Sequence, residues 1–156
     1  ATAIYFQDPV AMAATGTITV AAAGGVLLGS LNGVFFTDAT TSKPTFANHL
    51  NASNTASDIK GFVTDDPYQR YEVQSDNSGA SAQTDIGNVA DIVYAAGSSP
   101  DYVSKVELDD SDLATSDGQL KVIGLSKDPD NSDLTAANVN WVVTINEHFL
   151  KQEAGV

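Results

Sequence analysis

The chain has 156 residues, 42% of them hydrophobic, no cysteine, and a formal charge of −13 from 7 basic and 20 acidic residues. That size and apolar content suit one domain with a core of its own and argue against disorder throughout, while the missing thiols exclude disulfides and thiolate zinc sites. The charge argues against direct binding to nucleic acid or to an anionic membrane, both of which would repel it.

Ala1–Pro9 reads as an extended N-terminal arm or an edge strand, with Ile4, Tyr5 and Phe6 ahead of the break at Asp8-Pro9. Val10–Met12 and Thr17–Ala21 predict a hairpin turning at Ala14-Thr15-Gly16, and Gly24-Gly25 a tight crossing into the next strand. Val26–Thr37 is the longest apolar segment; it predicts a strand in which Gly29 and Gly33 mark bulges or corners. Asp38–Asp58 is rich in Thr, Ser, Asn and Ala around Pro44 and predicts one long loop, with Phe46, His49 and Leu50 as apolar anchors. Loops of that length often carry binding or assembly.

Ile59–Thr64 predicts a strand, Asp65-Asp66-Pro67-Tyr68 a turn, and Arg70–Gln74 a strand returning along the first. Ile86–Tyr94 and Tyr102–Leu108 are two more candidates, and Asp109–Asp112 opens a short helical turn with acids at its N-terminus. Gln119–Leu125 and Val139–Ile145 form the central pair. Val139, Trp141, Val143 and Ile145 share one face at period two, which is the mark of a half-buried strand, and Asp128–Asp133 turns between the two runs. The whole predicts an all-β fold: a single β-barrel or sandwich-like domain over 10–150, with a long loop over 38–58, an arm over 1–9 and a tail over 151–156. Neither candidate membrane stretch, around Val20–Leu28 or Val89–Ala96, can span a bilayer.

Signals for chemistry are sparse. Only His49 and His148 could act as imidazole bases, and Gly29-Ser30-Leu31-Asn32-Gly33 lacks the glycine two residues before the serine that a nucleophile elbow needs. Asp128, Asp130 and Ser132 alternate like the start of a calcium loop. Asp133 and Val139 then stand where such a loop needs glycine and glutamate, so a solvated turn is expected there. Asp109, Asp110 and Asp112 read as caps. Carboxylate pairs of the glycosidase kind exist by number alone, without an aromatic-lined cleft. No enzyme, cofactor or metal is expected.

Several segments, in order along most of the chain, resemble structural proteins of marine tailed bacteriophages of the head decoration or cement type. They are Asp8-Pro9-Val10; Gly25-Val26-Leu27-Leu28-Gly29 with Gly33-Val34-Phe35; Gly61-Phe62-Val63-Thr64-Asp65-Asp66-Pro67; Tyr71-Glu72-Val73-Gln74; Gly87-Asn88-Val89-Ala90-Asp91; Lys121-Val122-Ile123-Gly124-Leu125 with Asp128-Pro129-Asp130-Asn131; and Val143-Thr144-Ile145-Asn146-Glu147-His148. The resemblance implies a non-catalytic β-barrel homotrimer on the outer surface of the capsid. There it would bind the major capsid protein and stabilise the head of the virion, with an anchoring arm expected upstream of Ala1.

The expected protein contacts are Ile4, Tyr5, Phe6 and Pro9 of the arm and Pro44, Phe46 and Leu50 of the long loop, because these apolar residues fall outside the predicted strands. Deleting Ala1–Gln7 is expected to abolish decoration and to leave the isolated fold intact. The competing class is a tail or fibre module that binds glycan or receptor, for which Phe46, Tyr68 and Tyr102 are the loop aromatics at hand.

Overall fold

The computed structural model describes residues 2–129 and 133–151, in which alternating apolar residues of β-branched and aromatic type build the longer strands and 38% of residues are strand. The fold is all-β, made of several antiparallel sheets in a sandwich-like domain. The strands are β1 (Pro9–Met12), β2 (Ile18–Val20), β3 (Gly29–Thr37), β4 (Pro44–Ala47), β5 (Lys60–Thr64), β6 (Arg70–Gln74), β7 (Val89–Ala90), β8 (Ile92–Val93), β9 (Glu107–Leu108), β10 (Leu120–Leu125) and β11 (Asn140–Ile145).

One sheet joins β1, β2, β4 and β5 around β3; a second runs β6-β11-β10-β7; β8 and β9 form a small pair. The predicted central pair is present, Leu120 opposite Ile145 through Leu125 opposite Trp141, with a bulge between Val122 and Gly124. Trp141, Val143 and Ile145 are buried with Leu27, Leu108, Leu120 and Val122 in the core of the second sheet. A separate core under the first sheet holds Ile4, Val10, Leu28, Leu31, Val34 and Leu50. The predicted hairpin is β1–β2, with Val10 opposite Val20. β3 carries its bulge against β5 between Leu31 and Gly33. A Cβ on Gly29 would overlap the Thr64 carbonyl oxygen, so glycine is required where β3 passes the end of β5.

The structure corrects several expectations. The 38–58 segment is no continuous loop, because Pro44–Ala47 forms β4 along β3, with Phe46 opposite Phe35. Asp38 organises the turn before it: one carboxylate oxygen accepts from the N–H groups of Thr40 (3.0 Å) and Thr41 (2.7 Å). β6 does not return along β5. The 65–69 turn carries the chain across to the second sheet, where Glu72 lies opposite Val142. Asp91 splits the 86–94 run, sending β7 to β10 and β8 to β9. Tyr102, at φ 53, interrupts the next run, and only Glu107–Leu108 is strand. Phe149–Lys151 closes a single 3₁₀ turn, and the 152–156 part of the tail lies outside the described residues.

The N-terminal arm is corrected as well. The Ile4 N–H donates to the Leu50 carbonyl (3.0 Å) and the Leu50 N–H to that of Ile4 (2.7 Å), while Phe6 exchanges main-chain bonds with Tyr102 (2.9 Å) and Ser104 (2.8 Å). Residues 4–8 are thus stitched into the domain, and removing them would strip one wall of its core.

Candidate functional site

A row of three rings lies on the outer face of β3, β4 and β5, two of them exposed. Phe35 and Phe36 are adjacent on β3, and successive strand residues point to opposite faces. Phe36 packs on the core, so Phe35 turns outward. Its partner across the β3–β4 ladder is Phe46, 74% exposed, and Phe62 of β5 is 48% exposed. The Phe35 and Phe46 rings meet at 4.8 Å with a 52° tilt, and Phe46 stacks towards Phe62 at 6.2 Å and 19°. Exposed Pro44 borders the row, and two of the chain's seven basic residues flank it: Lys43 precedes Pro44, and Lys60 pairs opposite Phe35 on β5. Nothing in the domain uses these rings as core.

A second group of rings lies where the N-terminal segment meets the 98–104 loop. His49 stacks on Tyr102 at 3.8 Å and 1°, and Tyr5 lies 6.3 Å from His49 and 6.2 Å from Tyr102. All three are half-buried. Tyr68, 80% exposed, carries the Lys151 ammonium 4.9 Å above its ring.

The expected contact residues therefore separate into two sets. Pro44 and Phe46 are on the surface. Ile4 and Leu50, 4% and 8% exposed, face inward and pair with each other, so the expectation that they anchor a partner is overturned by burial. Tyr5 and Phe6 are half-buried, Phe6 tied through the main chain to Tyr102 and Ser104 and Tyr5 to buried Asp8, and Pro9 lies in β1 opposite Ser30. Phe35 and Phe62 were missing from the expected set. The signal for Phe35 was present in the Phe35-Phe36 doublet, since one of two consecutive strand residues must face out; Phe62 required the bulge that sets the β3–β5 register.

Buried polar groups mark the remaining points of interest. Asp8 is fully buried; its Oδ2 accepts from the Tyr5 N–H (2.8 Å), and burial raises its pKa against the opposing hydrogen bonds of Tyr5 and Ser104. Asp110 is buried beside Ser75 and Trp141. Burial raises its pKa, and the Ser75 hydroxyl, then Ser81 and the Trp141 indole, oppose the rise by donating towards the carboxylate. His148 accepts the Leu150 N–H on Nδ1 (3.1 Å), and burial, then Lys151, lowers its pKa, so it is a neutral structural imidazole.

Ser30 sits within β3 between Pro9 and Thr64, with no elbow turn. Among the described residues no three His, Cys, Asp or Glu side chains are placed to hold a metal ion. The Asp128–Ser132 calcium-loop pattern falls partly on 130–132, outside the described residues. No helix among the described residues is long and apolar enough to cross a membrane. Compared with protein-family models, with curated proteins and with solved structures, the chain matches none.

Proposed function

We propose that this chain is a phage capsid decoration, or cement, protein: a non-catalytic homotrimer on the outer surface of the virion that binds the major capsid protein and stabilises the head. The observation that carries this reading is the Phe35–Phe46–Phe62 row. Exposed apolar clusters of this kind mark contact sites, and aromatic anchors at the centre of an interface supply most of its energy. Three rings cover only part of the ~1,600 Å² of a standard interface, so the contact must extend over the surrounding polar residues. Lys43 and Lys60 place positive charge beside the row in a chain of net charge −13, which would orient it towards a carboxylate-bearing surface. The same charge keeps the protein off the packaged DNA.

The half-exposed Tyr5–His49–Tyr102 stack favours a second reading, a tail or fibre module that binds glycan or receptor, because flat rings can take the apolar face of a sugar. Location separates the two. A cement protein added to heads that lack it should fill sites over the whole shell and raise the temperature at which heads break open. Binding confined to a tail, or no binding to shells, would refute the cement reading.

A further inference from the structure

The free edge of β6 complements itself in a single register. The Ser75 N–H donates to the Val139 carbonyl (2.8 Å), and the β6–β11 ladder continues from there with Val73 opposite Trp141 and Tyr71 opposite Val143. Hydrogen-bonded pairs alternate with non-bonded ones in an antiparallel ladder. Tyr71, Val73 and Ser75 therefore turn their main-chain groups towards β11, and Arg70, Glu72 and Gln74 turn theirs the other way. Among the described residues no strand pairs with that outer side along Arg70–Glu72; β9 reaches it only at the far end, through a parallel bridge between Ser75 and Leu108. Cover begins at Gln74: in the Ser75–Leu108 bridge the Asp76 N–H reaches the Leu108 carbonyl (3.0 Å) and the Leu108 N–H faces the Gln74 carbonyl, which leaves the outward groups of Arg70 and Glu72 open. A cleft of about 580 Å³ runs beside the edge.

The side chains on this edge are exposed and of opposite sign. Arg70 is the only arginine in the chain, and no carboxylate among the described residues lies at ion-pair distance from it. The Glu72 carboxylate is oriented by two neutral donors, Ser126 Oγ (2.9 Å) and Asn140 Nδ2 (3.1 Å), and has no cation of its own. Charge on an edge strand commonly serves to block pairing. Here, two residues apart on one face, the opposite signs do the reverse.

We propose that β6 pairs antiparallel with β6 of a second copy about a twofold axis at Tyr71, setting Arg70 of each copy opposite Glu72 of the other. In that register the outward main-chain groups of residues 70 and 72 oppose each other and close hydrogen-bonded pairs. The Arg70 carbonyl already accepts from Gln69 Nε2 (2.8 Å) but keeps a second lone pair. A slip of one residue faces outward groups with inward ones. A slip of two sets Glu72 against Glu72, or Arg70 against Arg70. The contact is isologous and closes at two copies; added to a threefold assembly it would join two trimers. It uses none of the Phe35–Phe46–Phe62 face, so it stands or falls apart from the capsid reading.

The test is the mass of the full chain by sedimentation and light scattering, up to about 1 mM, the weak end of specific association. An even number of copies is expected, two or six. R70E and E72R each turn both cross-strand pairs repulsive, so each alone should weaken association roughly tenfold or more. Mixing the two variants should restore it, because each Glu–Glu edge then meets an Arg–Arg edge. Unchanged melting temperatures would confirm that both variants fold. One or three copies at every concentration, association unmoved by R70E, or folded variants whose mixture stays apart would each overturn the proposal.

Discussion

Replacing Ile4 by alanine tests whether the N-terminal segment belongs to the domain. Ile4 is buried among Val10, Leu28, Leu31, Val34 and Leu50, so the substitution removes most of a branched side chain from a packed site and leaves a cavity. Such changes cost about 2–5 kcal/mol. For a chain of 156 residues each kcal/mol lowers Tm by roughly 2–4 °C, so the loss should be about 4–20 °C. Phe46→Ala provides the contrast. That ring is mostly in solvent and gives up chiefly its tilted contact with Phe35, so its loss should cost no more than about 1 kcal/mol. Calorimetry and equilibrium urea unfolding of both variants would measure the pair. A Phe46→Ala loss equal to that of Ile4→Ala would mean the ring row is core; a negligible Ile4→Ala loss would mean the arm is dispensable.

Asp110→Asn should raise stability at pH 7 by about 1 kcal/mol, since it removes a carboxylate whose charged form burial disfavours. The folded-state pKa of Asp110 is raised above 3.8, so the native state takes up its proton first as pH falls. The advantage of the variant should therefore shrink as the pH is lowered towards 4. A gap in unfolding free energy that does not vary with pH would contradict this. For His148 the sign is opposite: its folded pKa lies below the ordinary 6.5, so the stability it contributes is present above that value and lost as pH falls beneath it. His148→Gln should flatten urea midpoints between pH 7 and 5, and an unchanged slope would remove His148 from the account. Gly29→Ala should destabilise by about 3 kcal/mol or more, because its Cβ runs into the Thr64 carbonyl rather than a movable side chain. A normal melting temperature would show that β3 and β5 are less tightly held.

Strands were legible where one face is buried and the other wet. The β11 alternation placed Trp141 correctly because period-two burial writes itself into composition. Local chemistry also read well: Asp109 caps the 110–112 turn by accepting from the Ser111 N–H (2.9 Å). Pairing partners were not legible. β5 and β6 look like a hairpin in the chain, yet each joins a different sheet, a choice made by packing far away in sequence. The Asp38–Asp58 stretch hid β4 because an edge strand beside solvent can be polar and begin with proline. Among the candidate contacts, exposure was legible for Phe46 and not for Ile4 and Leu50, whose burial depends on the 45 residues between them folding back.

The central claim is that the Phe35–Phe46–Phe62 row is the face that meets the capsid shell. Its most direct test is the affinity of the purified chain, wild type and Phe46→Ala, for heads that lack it, read by co-sedimentation. The account predicts saturable binding by the wild type and a loss of about 2 kcal/mol, roughly 30-fold, in a variant that remains folded. Equal decoration by the two proteins would contradict it.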